Sequence, residues 1–112
     1  MNIIVDRPQL VRVVLLYLNM NFGDLTQKTY LNIPDKVFYV DKHGGTVLEY
    51  EEDNPFDPTV WVDTKLLWSR IENAFHLNYN EIQLILEVWF KETYNLEGVA
   101  SKTSLGLDFD FD

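Results

Sequence analysis

Two histidines and one run of carboxylates are the residues of this chain whose types could do chemistry. His43 lies two positions after Asp41, and His76 lies four after Glu72. A histidine beside a carboxylate is a pairing that general acid–base catalysis uses. Neither histidine has the His-x-x-x-His spacing that sets two metal ligands on one helix face, so both read as solvated surface residues. The stretch EYEEDNPFD (49–57) gathers Glu49, Glu51, Glu52, Asp53 and Asp57. It lacks the alternating Asp/Asn and central Gly of a calcium loop. The glycines of DKHGG are not followed by the Lys-Ser/Thr of a phosphate-binding loop, and no serine has a nucleophile-elbow context. With no cysteine in the chain, thiolate metal sites and disulfides are excluded. The expectation is a non-enzymatic protein with no cofactor and no metal.

The remaining candidate is the C-terminal stretch LGLDFDFD. Leu105, Leu107, Phe109 and Phe111 alternate with Gly106, Asp108, Asp110 and Asp112. In an extended chain the four apolar side chains share one face and the carboxylates take the other. Such a pattern serves either as a last strand of a sheet or as a docking peptide, with apolar anchors filling pockets and acids steering toward a basic rim. Three aspartates in so short a stretch argue against a strand. The preceding GVASKTS is small and polar and reads as a flexible linker. The expected division is therefore a compact domain over 1–97, with a linker and docking tail over 98–112.

Charge narrows the partners. The 112-residue chain carries a net charge of −9, concentrated in 49–57 and in the tail, and the rest is nearly neutral. Clustered Lys and Arg, which phosphate contacts require, are missing, so direct sequence-specific nucleic-acid binding is not expected. A protein surface is the more natural partner. The acids of 49–57 are read first as solubilising charge. No signal peptide is visible, and no apolar run approaches the roughly 20 residues a membrane helix needs. A cytoplasmic protein is expected, in the host cytoplasm if the chain is viral.

The elements that must position these residues follow from periodicity. VDRPQLVRVVLLYLNMNFGD reads as a helix, capped by Asp6, with Pro8 in its first turn and Gly23 as its stop. LTQKTYLNIP (25–34) reads as irregular. Runs 37–40 and 46–50 flank Gly44 and Gly45 as a β-hairpin, and TVWV (59–62) adds a short third strand. Asp63 caps a helix with Leu67, Trp68, Ile71, Ala74 and Phe75 on one stripe. Asn80 is read as the cap of the next, whose stripe is Ile82, Ile85, Leu86 and Trp89. Leu84 and Val88 spill over one edge of that stripe, Phe90 and Tyr94 over the other, and burial on two sides is the expected outcome. The fold class expected is α+β in a single small domain. It has an N-terminal helix, a short antiparallel hairpin or three-stranded sheet, two C-terminal helices and a flexible acidic tail.

GLDFDF (106–111) resembles the C-terminal sliding-clamp-binding peptides of T-even-type phages, found on a polymerase, a late sigma factor and a late transcription coactivator. Leu107, Asp108 and Phe109 match that pattern in order, and Phe111 takes its last apolar place. Gly106 stands where the pattern has Ser or Thr, and Asp110 where it has an apolar residue. IENAFHLNYNEI (71–82) is similar to a helix–turn–helix junction of the late coactivator, with Phe75, Leu77, Tyr79 and Glu81 in matching positions. The resemblance implies an adaptor in transcription or replication that docks its tail on a DNA-encircling clamp. An apolar face, assigned to Phe75, Tyr79, Phe90 and Tyr94, would grip RNA polymerase. An acidic inhibitor or nucleic-acid mimic acting through 49–57 on a host protein, and a virion assembly subunit, are the competing expectations.

Overall fold

A computed structural model of the chain describes residues 7–51 and 58–103, with Arg7 by its backbone alone. Helix α1 (Arg7–Phe22) leads into strands β1 (Thr26–Tyr30), β2 (Ile33–Val40), β3 (Thr46–Glu51) and β4 (Thr59–Asp63). One π-helical turn (Thr64–Trp68) opens α2 (Ser69–Phe75), and α3 (Tyr79–Tyr94) precedes the last strand, β5 (Val99–Thr103). The five strands form one sheet in the order β1-β2-β3-β4-β5. The first three pairings are antiparallel and β4–β5 is parallel.

That sheet corrects the expected hairpin or three-stranded sheet. The stretch 25–34, read as irregular, supplies β1 and the start of β2. Thr26, Gln27, Lys28 and Thr29 are all exposed, so β1 shows no apolar alternation. The linker read from Gly98 onward instead begins with β5. Its central Ala100 is fully buried, and a residue that small leaves little hydrophobic signal. A parallel partner for β4 requires a crossover, and α2 and α3 provide it.

Register sorts the side-chain rows onto the two faces of the sheet. Val37, Tyr50, Val60 and Ala100 are successive neighbours across β2 to β5, as are Tyr39, Leu48 and Val62 across β2 to β4. These rows pack with Val14 and Leu18 of α1 and with Ile82, Leu86 and Trp89 of α3 in one cluster. The row Lys28–Phe38–Glu49–Trp61–Ser101 lies on the other face. Glu49 is only 4% exposed there, which corrects its reading as solvated charge. Glu52, Asp53 and Asp57 lie outside the described residues, as does the expected cap Asp6.

The helix ends follow local chemistry. Asp63 is the cap expected, and its Oδ1 accepts the Leu66 N–H at 2.8 Å. For α3 the cap is Asn78, not Asn80: its side chain accepts the Glu81 N–H at 2.9 Å, and the Glu81 carboxylate accepts the Asn78 N–H at 3.2 Å. This reciprocal pair satisfies two amides that would otherwise be orphaned at the helix start. Gly23 ends α1 as expected, donating to the Asn19 carbonyl at 3.1 Å. A Cβ at position 23 would sit 2.3 Å from that carbonyl oxygen. Gly23→Ala is therefore expected to cost about 1–3 kcal/mol by displacing the end of α1, seen as a lower urea midpoint with an unchanged slope.

Candidate functional site

Helix α1 carries more apolar residues than its buried face uses. Val14, Leu18 and Phe22 point into the core, each buried. Val13, Leu16 and Met20 recur at i, i+3, i+7 on the outer side and are 47%, 63% and 84% exposed. On α3, Leu84 and Val88 are 65% and 43% exposed. Burial of the stripe on two sides thus holds for one edge only. Between the helices, Leu10, Val11, Leu84 and Ile85, with Glu81 at the rim, line an apolar groove of about 200 Å³.

The two helices are pinned by a shared acceptor. Asn19 Oδ1 receives the Trp89 indole N–H at 3.0 Å and the Thr93 hydroxyl at 3.1 Å. The groove walls are therefore held by α1–α3 contacts and a buried tryptophan, a preorganised surface rather than a loop. Exposed apolar side chains grouped in this way mark interaction sites more often than isolated ones do.

The four aromatic residues assigned to a polymerase face do not form one. Phe90 is fully buried. Tyr94 is half-buried: its hydroxyl donates to the Phe22 carbonyl and accepts the Leu25 N–H at 3.0 Å. Its ring packs 5.1 Å from Tyr39 and 5.5 Å from Trp89. Burial pushes its phenol pKa up, the hydrogen bond with Leu25 opposing and Asp24 adding to the rise. Both residues serve the core and the α1–β1 junction. Phe75 stands edge-on to Tyr17 at 5.5 Å. Tyr79 lies 5.0 Å from Trp68, with Lys102 Nζ 5.9 Å from its ring. Leu105, Leu107, Asp108, Phe109 and Phe111 lie outside the described residues.

Among the described residues neither histidine ring is hydrogen-bonded to a carboxylate. His43 lines a polar hollow of about 290 Å³ with Asp24, Asp41, Lys42 and Arg70. Asp41 is committed to the turn, its Oδ1 accepting the His43 and Gly45 amides at 2.9 and 2.8 Å. His76 ends α2 in the left-handed region, φ 52°. Among the described residues no three His, Asp or Glu converge as a metal site, and no helix is long and apolar enough to cross a membrane.

Val13, Leu16 and Met20 are not among the residues expected at a site from the sequence. They were detectable as apolar positions left over once 10, 14 and 18 are assigned to the core. Compared with family models, with curated proteins and with solved structures, the chain matches none.

Proposed function

We propose that this chain is a non-enzymatic adaptor that holds two protein partners, acting in the cytoplasm. The observation that carries the reading is a pair of exposed apolar rows, Leu16 with Met20 on α1 and Leu84 with Val88 on α3. This face replaces the Phe75, Tyr79, Phe90 and Tyr94 set as the grip on the larger partner, for which the coactivator resemblance suggests RNA polymerase. The tail supplies the second grip. Leu107, Asp108 and Phe109, with Leu105 and Phe111 as flanking anchors, would dock on a sliding clamp. Tethering of this kind raises the local concentration of one machine at the other without base reading, in keeping with a net charge of −9.

The experiment measures binding of the full chain to the cognate polymerase and, separately, to the cognate clamp. Leu16→Asp with Leu84→Asp is expected to weaken polymerase binding at least tenfold and leave clamp binding intact. Leu107→Ala with Phe109→Ala is expected to do the reverse. Wild-type protein that binds neither, or binding that ignores both double variants, would sink the proposal. A second reading, an assembly subunit, is favoured by the same exposed Leu84 and Val88. It predicts an oligomer in sedimentation that Leu84→Asp dissociates. The acidic-inhibitor reading loses support, because Glu49 is buried and Glu51 accepts the Trp61 indole N–H at 2.9 Å.

A further inference from the structure

The two outer strands of the sheet differ in how their edges are finished. On β5 the outward backbone groups of the central Ala100 are occupied. Gln83 Nε2 donates to the Ala100 carbonyl at 3.0 Å, and the Ala100 N–H approaches Glu87 Oε2 at 3.5 Å. Gln83 and Glu87 are one helical turn apart on α3, so the helix lays a donor and an acceptor along the strand. Covering an edge in this way blocks pairing with another chain.

Among the described residues Thr26, Gln27, Lys28 and Thr29 of β1 have no such cover. Thr26, Gln27, Lys28 and Thr29 are exposed and pair with Val40, Tyr39, Phe38 and Val37 of β2 on one side only. Among the described residues no side chain or backbone group bonds to their other side. The edge therefore offers the N–H and C=O groups of alternate residues at strand spacing. Lys28, at the centre of β1, is its only charged residue. Two copies meeting edge to edge about Lys28 would set ammonium against ammonium. The same ammonium favours a carboxylate placed across from it.

We propose that β1 is a strand-addition site, which takes an extended acidic segment of a partner protein backbone to backbone and sets a carboxylate opposite Lys28. The sheet would grow to six strands at this edge alone. This inference rests on the sheet edges and is independent of the α1–α3 face.

The test titrates the isotope-labelled full chain with a capped seven-residue peptide of alternating threonine and glutamate. Amide shifts and slowed hydrogen exchange are expected at 26–29 and not at 99–103. Two versions of the peptide, N-methylated on alternate residues in opposite phase, separate backbone pairing from charge attraction. One is expected to bind at least tenfold more weakly and the other to bind as before. Lys28→Glu, at an exposed position that leaves the core untouched, is expected to weaken binding at least tenfold and to transfer preference to a threonine–lysine peptide. The proposal is overturned if 26–29 do not respond, if 99–103 respond instead, or if both N-methylated peptides bind like the parent. It is equally overturned if the wild-type chain takes the threonine–lysine peptide as well, or if the free chain sediments as a dimer with its 26–29 amides protected.

Discussion

Trp89→Ala is expected to leave little folded protein. The indole is fully buried between α1, α3 and the sheet, and truncating a buried tryptophan costs about 3–5 kcal/mol. A domain of this size has only about 5–15 kcal/mol to lose. The loss would show as a thermal midpoint lowered by about 4–8 °C for each kcal/mol. The phenylalanine variants of the two buried tryptophans separate packing from hydrogen bonding. Trp89 Nε1 donates to Asn19 at 3.0 Å, whereas Trp68 Nε1 is buried without a partner among the described residues. Both changes remove similar volume, but only Trp89→Phe forfeits a hydrogen bond. It is therefore expected to be the costlier of the two by about 0.5–1.5 kcal/mol. Equal losses would show that the Asn19 pin contributes nothing.

Lys36→Met is expected to destabilise the fold in a pH-dependent way. Lys36 Nζ lies 3.7 Å from Glu49 Oε1 and 3.8 Å from Glu51 Oε1, and among the described residues Glu49 Oε1 has no partner within 3.5 Å. Burial pushes the Glu49 carboxyl above its ordinary value of 4.5, Lys36 pulls it back, and Glu51 adds to the rise. A raised folded-state pKa means that folding prefers the protonated acid. The contribution of Glu49 is thus fully present below 4.5 and is lost as pH rises through its folded-state pKa. Removing the ammonium leaves an ionised, buried carboxylate without compensation. The penalty at about pH 7 is expected to be about 1–3 kcal/mol, measured as the urea-unfolding difference from wild type. It should shrink toward zero as pH falls well below 4.5, where Glu49 is protonated in both the folded and the unfolded chain. A penalty of equal size at both pH values would mean that Lys36 acts through packing.

How much of this was legible in the sequence depended on whether burial leaves a periodic trace. Helices α1 and α3 were readable because Val14, Leu18, Ile82 and Leu86 repeat at helical spacing over long stretches. Strands β2, β3 and β4 were readable from dense β-branched and aromatic residues. Strand β1 was not, because all but one of its residues face water and polarity there reads as loop. Strand β5 was not, because its one buried side chain is a methyl group and its pairing is with a strand on the far side of two helices. The site was half legible. The width of the α3 stripe was read as burial on two sides, and nothing local showed that Leu84 with Val88, rather than Phe90 with Tyr94, would stay open. That choice is made by the position of α1, through Asn19. The acidic stretch misled for a related reason: a carboxylate such as Glu49 counts the same in net charge whether water or a sheet surrounds it.

The parallel pairing of β5 bears on how the chain acquires its structure during synthesis. Strands β1 to β4 are joined in sequence order and can form contacts as they leave the ribosome, which makes them the fast, local part of the topology. The pairing of Thr59 with Val99 closes across the whole helical segment between them, and the hydrogen bond from Trp89 to Asn19 spans most of the domain. Until residue 99 has emerged, β4 is itself an open edge, with Val60 and Trp61 unshielded. Nascent protein at that stage is the form most exposed to chaperones and proteases.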